Sequence, residues 1–306
     1  ASHESAMTSA DQPGPDPERE RLKQQLRQRL GRRPAVWSPG APPAGGGTGV
    51  AGGAVAGGAA GGSASASRGT AAGGGAAAGG GPAGQAVALD ELVPGMAQAA
   101  HHGTAYVVRR PVASFTGGRE LEERYVAALA DPESALRRRL RAAGYAADLA
   151  RPDCTLLDIE TAGLGNVPIF LVGSICWTGD GLEAVQFLAR DYAEEGPALA
   201  LWQAQAQRRG LLVTFNGKSF DLPCVRSRLS LSRLPCAWDP CHLDLLHESR
   251  RVWGKVLPDC RLQTLEQSVC RRFRRDDIPG AQIPDVYHHF VRTADARLLA
   301  RVVEHD

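Results

Sequence analysis

The chain has 306 residues, and its 35 Lys and Arg nearly balance its 33 Asp and Glu, which excludes a protein whose partners are chosen by net charge alone. No run of about 20 residues is both apolar and free of glycine, so the sequence offers no helical membrane span and no membrane partner is expected. Seven cysteines without a secretory signal point to reduced thiols and a cytoplasmic location, not to a disulfide framework.

In chain order, residues 1–38 form an N-terminal tail. Its segment 17–33 places Leu22, Leu26 and Leu30 four residues apart, one narrow apolar stripe on a charged helix. Such a stripe is either a loosely held terminal helix or a docking face for a protein partner. Residues 39–88 carry no charge except Arg68 and no aromatic side chain. Their Gly and Ala repeats offer little apolar area against the entropy of ordering so many glycines, and they read as a disordered linker. The fold is expected to begin at Leu89, with 89–150 as a largely helical lead-in packing on a domain at 151–306.

Within the lead-in, 103–112 reads as a strand and 119–130 and 132–144 as helices. Strands follow at 154–160, 169–177 and 182–190, the last two joined across the tight turn at 178–181. A helix over 196–210 leads to a fourth strand at 211–215. Three strands in a meander, a crossover helix and a further strand and helix give an α/β fold with a mixed sheet flanked by helices. That is the ribonuclease H-like order.

The chemistry is concentrated in two places. CTLLDIETAGLG (154–165) sets Asp158 and Glu160 two apart at the end of an apolar strand, so both lie on one face roughly 6 to 7 Å apart while Ile159 points into the core. In LLVTFNGKSFDLPCVRSRL (211–229), Asn216 and Gly217 make a turn, Ser219 or Asp221 can cap the next helix, and Pro223 falls in its first turn. Asp221 taken alone is a helix cap. A crossover between adjacent strands would instead bring it beside Asp158 and Glu160. Further on, 250–275 holds eight Arg or Lys against Asp259 and Glu266, a patch suited either to a phosphate backbone or to a solvated surface.

DIETAG followed by FNGKSFDLP resembles the first two motifs of the DEDD 3′→5′ exonucleases of the ribonuclease H-like superfamily. The Asn-x-x-x-Phe-Asp spacing is also similar to that of family B DNA polymerase proofreading domains. A fuller resemblance, over roughly 100–306, is to the bacterial YprB-type branch, carried by LVGSICW, FNGKSFDLP, HLDLLHESRRVWG, CRLQTLE, DDIPGAQIPDVYHHF and VVEHD. It implies hydrolysis of phosphodiester bonds in single-stranded DNA or RNA with two Mg2+ or Mn2+ ions. Asp158, Glu160 and Asp221 would be their ligands and His305 would orient or deprotonate the attacking water. Asn216, Lys218, Arg271, Arg272, Arg274 and Arg275 are expected to touch the substrate.

The last motif of that branch resembles His-Asn-x-x-Asp, and here it reads His305-Asp306. The fourth acid is therefore expected about three residues further on, in a chain cut within this motif, or Asp306 takes its place. Two other sets have two readings each: Cys236, Cys241, His242, Cys260 and Cys270 as a zinc site or as core or half-buried thiols, and His242 with Asp244 as an extension of the metal site or as support at the core edge. The rival functions are a catalytically incomplete nucleic-acid-binding module and a scaffold recruited through the N-terminal helix.

Overall fold

Apolar residues dense in Val, Ile, Leu and Phe build seven strands: β1 (Met96–Ala100), β2 (Gly103–Pro111), β3 (Cys154–Thr161), β4 (Ile169–Thr178), β5 (Gly181–Leu188), β6 (Leu211–Thr214) and β7 (Cys241–Asp244). They form one sheet in the order β1-β2-β5-β4-β3-β6-β7. The structure is a computed structural model that describes residues 85–100, 102–142, 154–179, 181–236, 238–274 and 278–305. The N-terminal segment 17–33 and the Gly/Ala-rich stretch up to residue 84 lie outside the described residues.

Neighbours from β1 to β3 run antiparallel, whereas β3, β6 and β7 run parallel. The order β5-β4-β3-β6-β7 is the mixed α/β core expected from the sequence. The lead-in differs from its largely helical reading, because β1 and β2 extend the same sheet on its β5 edge. The Ala-rich β1 is weakly strand-forming and mostly exposed, and its conformation follows from pairing along β2. Helices α1 (Gly118–Ala130) and α2 (Ala135–Ala142) follow. The second starts three residues later than the 132–144 expected, and residues 143–144 lie outside the described residues.

Alternation along β3 decides the layers. Leu157 and Ile159 point to a core with Val172, Val185, Phe187 and Leu212, closed by Leu199 and Trp202 of α3 (Glu195–Ala206) and by Val225 and Leu229 of α4 (Asp221–Leu231). After β7 come α5 (Leu245–Trp253), α6 (Ile283–Thr293) and α7 (Arg297–His305). The last two bury Tyr287, Phe290, Leu299 and Val303 against Tyr106, Val108, Leu171 and Leu188 on the opposite face. A third cluster, Leu140 with Cys154, Leu211, Val213 and Cys241, seats α2 at the far end of that face. Cys241 and Cys260 are buried, Cys236 and Cys270 exposed, and all are free thiols. No helix among the described residues is long and apolar enough to cross a membrane.

Candidate active site

The parallel pairing of β3 with β6 covers only Cys154 to Leu156 against Leu211 to Val213, after which the strands part. The crevice beyond their carboxyl ends is where open α/β sheets present ligands. Asp158 and Glu160 of β3, the loop leading to Asp221, and Asp244 at the end of β7 all stand on this edge.

Ile159 is buried in the core, as the alternation predicted, and Asp158 and Glu160 face the other way. The pairing of β3 with β4 shifts register immediately after Glu160, so the strand bends away there. Asp158 keeps solvent-exposed surface, yet the protein packed on its remaining sides pushes its carboxyl above the usual range, against the Ile159 N–H and the charge of Arg274, which pull it down.

Asp221 is not a cap. Phe220 holds the N-cap position without a side-chain bond, and Asp221 is the first residue of α4, 3% exposed. Its Oδ1 is buried with no hydrogen-bond partner. Burial first, then the neighbouring charge of Asp158 and that of Asp244, push its carboxyl up to about 7, although its own backbone N–H and that of Ile159 favour the ionised form. An ionisable oxygen left unpaired in the interior is costly without a counter-charge. The two-strand crossover thus brings Asp221 to Asp158.

Glu160 is half-buried and is not drawn into their group: among the described residues no three Asp, Glu, His or Cys side chains form a cluster able to hold a metal ion. Carboxylates repel, and the spacing along one strand face keeps Glu160 roughly 6 to 7 Å along from Asp158.

Asp244 organises the approach to Asp221. Its carboxylate accepts the N–H groups of Asn216 (2.8 Å), Lys218 (3.0 Å) and Leu246 (3.0 Å), the last capping α5. Burial raises this carboxyl, but the three N–H donors outweigh it and hold the group below its usual range. Asn216 turns the chain through φ 67°, and a Cβ at Gly217 would strike the Thr214 hydroxyl, so the NG turn is required by close packing. His242 bonds Thr214 Oγ1 at 2.8 Å. His242 and Asp244 therefore hold the loop at the edge of the core.

The row Asp158–Gly173–Gln186 runs straight across β3, β4 and β5 on one face, with the two side chains roughly 10 Å apart over a glycine. Gln186 Nε2 donates to the Val303 carbonyl at 2.7 Å, and Arg110 Nη2 donates to the same oxygen at 3.0 Å. This pins the last turn of α7 above that row. His305 ends α7, Asp306 lies outside the described residues, and Arg275 does as well.

The remaining arginines do not form a solvent-facing row, because Arg271, Arg272 and Arg274 are half-buried. Arg274 grips Glu266 with Nε and Nη2 at 2.8 and 2.7 Å while its charge reaches Asp158. Arg271 sinks its Nε and Nη2 away from solvent, and Arg272 reaches Gly117.

Three supports were not foreseen from the sequence. Besides Gln186, the buried Glu195 accepts the Ile169 N–H at 2.8 Å and pairs with Arg228, whose Nη1 reaches the Asn166 carbonyl in the loop after β3. His288 of α6 bonds the Ala162 carbonyl at 3.0 Å and Tyr192 Oη at 2.7 Å. A buried Glu followed far along by Arg, or a lone His on a helix, carries no pattern that links it to DIET.

The acids on this edge are thus a pair, Asp158 and Asp221, the second with a buried orphan oxygen, and Glu160 further along the same strand face. In comparison with known proteins, the sequence matches the RNase H superfamily over residues 155–306. It is 34% identical over 181 residues to the uncharacterized protein YprB of Bacillus subtilis, covering 57% of this chain and 42% of that protein. The chain thus spans about two fifths of the relative's length. The family B DNA polymerase of the hyperthermophilic archaeon Pyrobaculum calidifontis is similar over 49% of this chain and 22% of its own, at 18% identity and a TM-score of 0.38, too slight a likeness to bear on chemistry. Sheet order and sequence match agree, and residues 155–306 of this chain belong to the RNase H superfamily.

Proposed function

We propose that the domain hydrolyses phosphodiester bonds as a divalent-metal-dependent 3′→5′ exonuclease acting on single-stranded DNA or RNA. The observation that carries this is the pairing of Asp158 with Asp221, whose Oδ1 is buried without a partner and whose carboxyl is held up to about 7. Two carboxyls forced together at this energetic cost serve a cation better than they serve the fold.

Asp158 and Asp221 would hold Mg2+ or Mn2+, with Glu160 from the same strand face. The bound ion would supply an activated water and a charge against the leaving 3′ oxygen. Asp244 keeps the 216–218 loop, and so Asp221, in place through its three N–H bonds. Gln186 and Arg110 hold the turn of α7 that ends in His305, the residue proposed to orient the water.

The test is a single strand labelled at its 5′ end, incubated with Mg2+ or Mn2+. Stepwise shortening from the 3′ end, abolished by EDTA and slowed at least about a hundredfold by Asp158→Ala or Asp221→Ala, is expected. Shortening that persists in EDTA or in either variant would overturn the assignment.

A further inference from the structure

Beside the acid pair lies a recess of about 480 Å³ between α2, β7 and α5, lined by Arg139, Lys218, His242, Asp244, His247 and Glu248 over a floor of Leu140 and Leu243. It shares Asp244 with the acid site, and the charge of Asp244 is felt at Asp221. Arg139 and Leu140 come from α2, which precedes the matched residues 155–306.

The recess has its acceptors engaged and its donors left over. Asp244 is engaged by three backbone N–H groups. Glu248 accepts Arg139 Nε at 2.7 Å on one oxygen and Arg251 Nε at 3.1 Å on the other, so two guanidinium charges share one carboxylate. Among the described residues no carboxylate pairs with the exposed Lys218 ammonium. Thr214 Oγ1 accepts the Gly217 N–H at 3.2 Å. The same hydroxyl bonds His242 Nε2 at 2.8 Å, which engages that ring nitrogen. Burial first, then the charge of Lys218, push the pKa of His242 down, against the charge of Asp244.

A lining whose two carboxylates are already engaged by N–H donors, beside a Lys218 ammonium that no carboxylate pairs, over two leucines, suits an oxyanion attached to a bulky group. We infer that this recess binds a phosphodiester of the nucleic-acid strand whose end lies at Asp158 and Asp221, with Lys218 and Arg139 as its charged contacts. The inference rests on the function proposed above and adds to it the path of the strand, along the β7 edge and against α2.

The test uses the whole chain and measures single-strand affinity in EDTA at several salt concentrations, and KM in Mn2+, for strands of two to twelve nucleotides. Lys218→Gln and Arg139→Gln should each weaken binding about three- to tenfold for every sequence tried. Each should also flatten the salt slope by about 0.7, the share of one phosphate on a single strand. The loss should vanish for the shortest strands, which reach the acids but not the recess. Arg119→Gln, on the β2 side of the sheet, should behave as the parent chain. If the parent chain cuts and both variants bind every length as it does, the recess is no part of the path and the inference falls while the nuclease reading stands. An equal loss at every length, the dinucleotide included, would assign both residues to the terminal nucleotide and overturn the inference likewise. A parent chain that neither binds nor cuts single strands overturns both.

Discussion

The buried amide of Gln186 donates to the carbonyl of Val303 at 2.7 Å, and so the middle of β5 holds the last turn of α7 over the strand row that contains Asp158. Arg110 donates to the same carbonyl and to Gln186 Oε1 at 2.8 Å, which closes the network. Gln186, two strands from Asp158, and Arg110 thereby tie down the helix that carries His305.

Gln186→Leu removes both bonds of that amide and leaves Arg110 with less to hold. The expected loss of stability is about 1 to 3 kcal/mol in urea unfolding. If α7 is positioned as proposed, turnover should fall by more than that loss explains at temperatures where the variant is folded. A variant of unaltered activity would show that the tether serves stability alone.

Much of this fold was legible in the sequence. Alternation along CTLLDIET gave β3 its faces, the tight turn at 178–181 joined β4 and β5, and the NG turn before Asp221 proved to be forced by the packing of Gly217 on Thr214. Asp221 taken alone looks like a cap, because an acid at a helix start looks the same in sequence whether it faces its own N–H groups or another strand's carboxylate, and only its pairing with the DIET motif points to Asp158. The arginines of 271, 272, 274 and 275 read as substrate contacts, and nothing in the sequence shows that Arg274 is engaged by Glu266, eight residues back across a π-helical turn. Supports such as Gln186 and Glu195 act across the tertiary fold and have no local signature.

Asp221 makes stability depend on pH with a definite sign. In the unfolded chain it releases its proton near 3.8, and in the fold near 7, so between these values only the unfolded state ionises and stability falls as pH rises through about 7. Asp221→Asn removes this penalty. In EDTA its advantage in unfolding free energy over the parent chain should be small at pH 4, grow up to about pH 7 and then level off, reaching on the order of a few kcal/mol. Adding Mn2+ at pH 8 should stabilise the parent chain and not the variant. An advantage that stays flat from pH 4 to pH 8 would contradict the raised carboxyl.

Arg228→Ala strands Glu195 as a buried charge beneath the loop that follows β3. Removing one partner of such a pair costs about 3 to 5 kcal/mol. Chemical unfolding should show a loss of that size, and limited proteolysis should cut faster within 162–168. A loss below about 1 kcal/mol would mean that solvent reaches Glu195.

Glu266 and Arg274 allow a test in which the two partners give opposite signs. Glu266→Gln loosens Arg274 beside Asp158 and should tighten single-strand binding. Changing Arg271, Arg272, Arg274 and Arg275 together to Gln should weaken it and lower the salt slope by roughly 1.5 to 2. If both variants weaken binding alike, the arginines support the fold and do not grip phosphate.

The account stands or falls on whether Asp158 and Asp221 hold a divalent cation between them. Titration of Mn2+ into the protein, followed by electron paramagnetic resonance of the free ion, measures this directly. The parent chain should bind Mn2+ at pH 8, and Asp158→Asn or Asp221→Asn should weaken that binding at least about tenfold, whereas Asp285→Asn on α6 should not. Equal Mn2+ binding by the parent chain and both site variants would contradict the central claim.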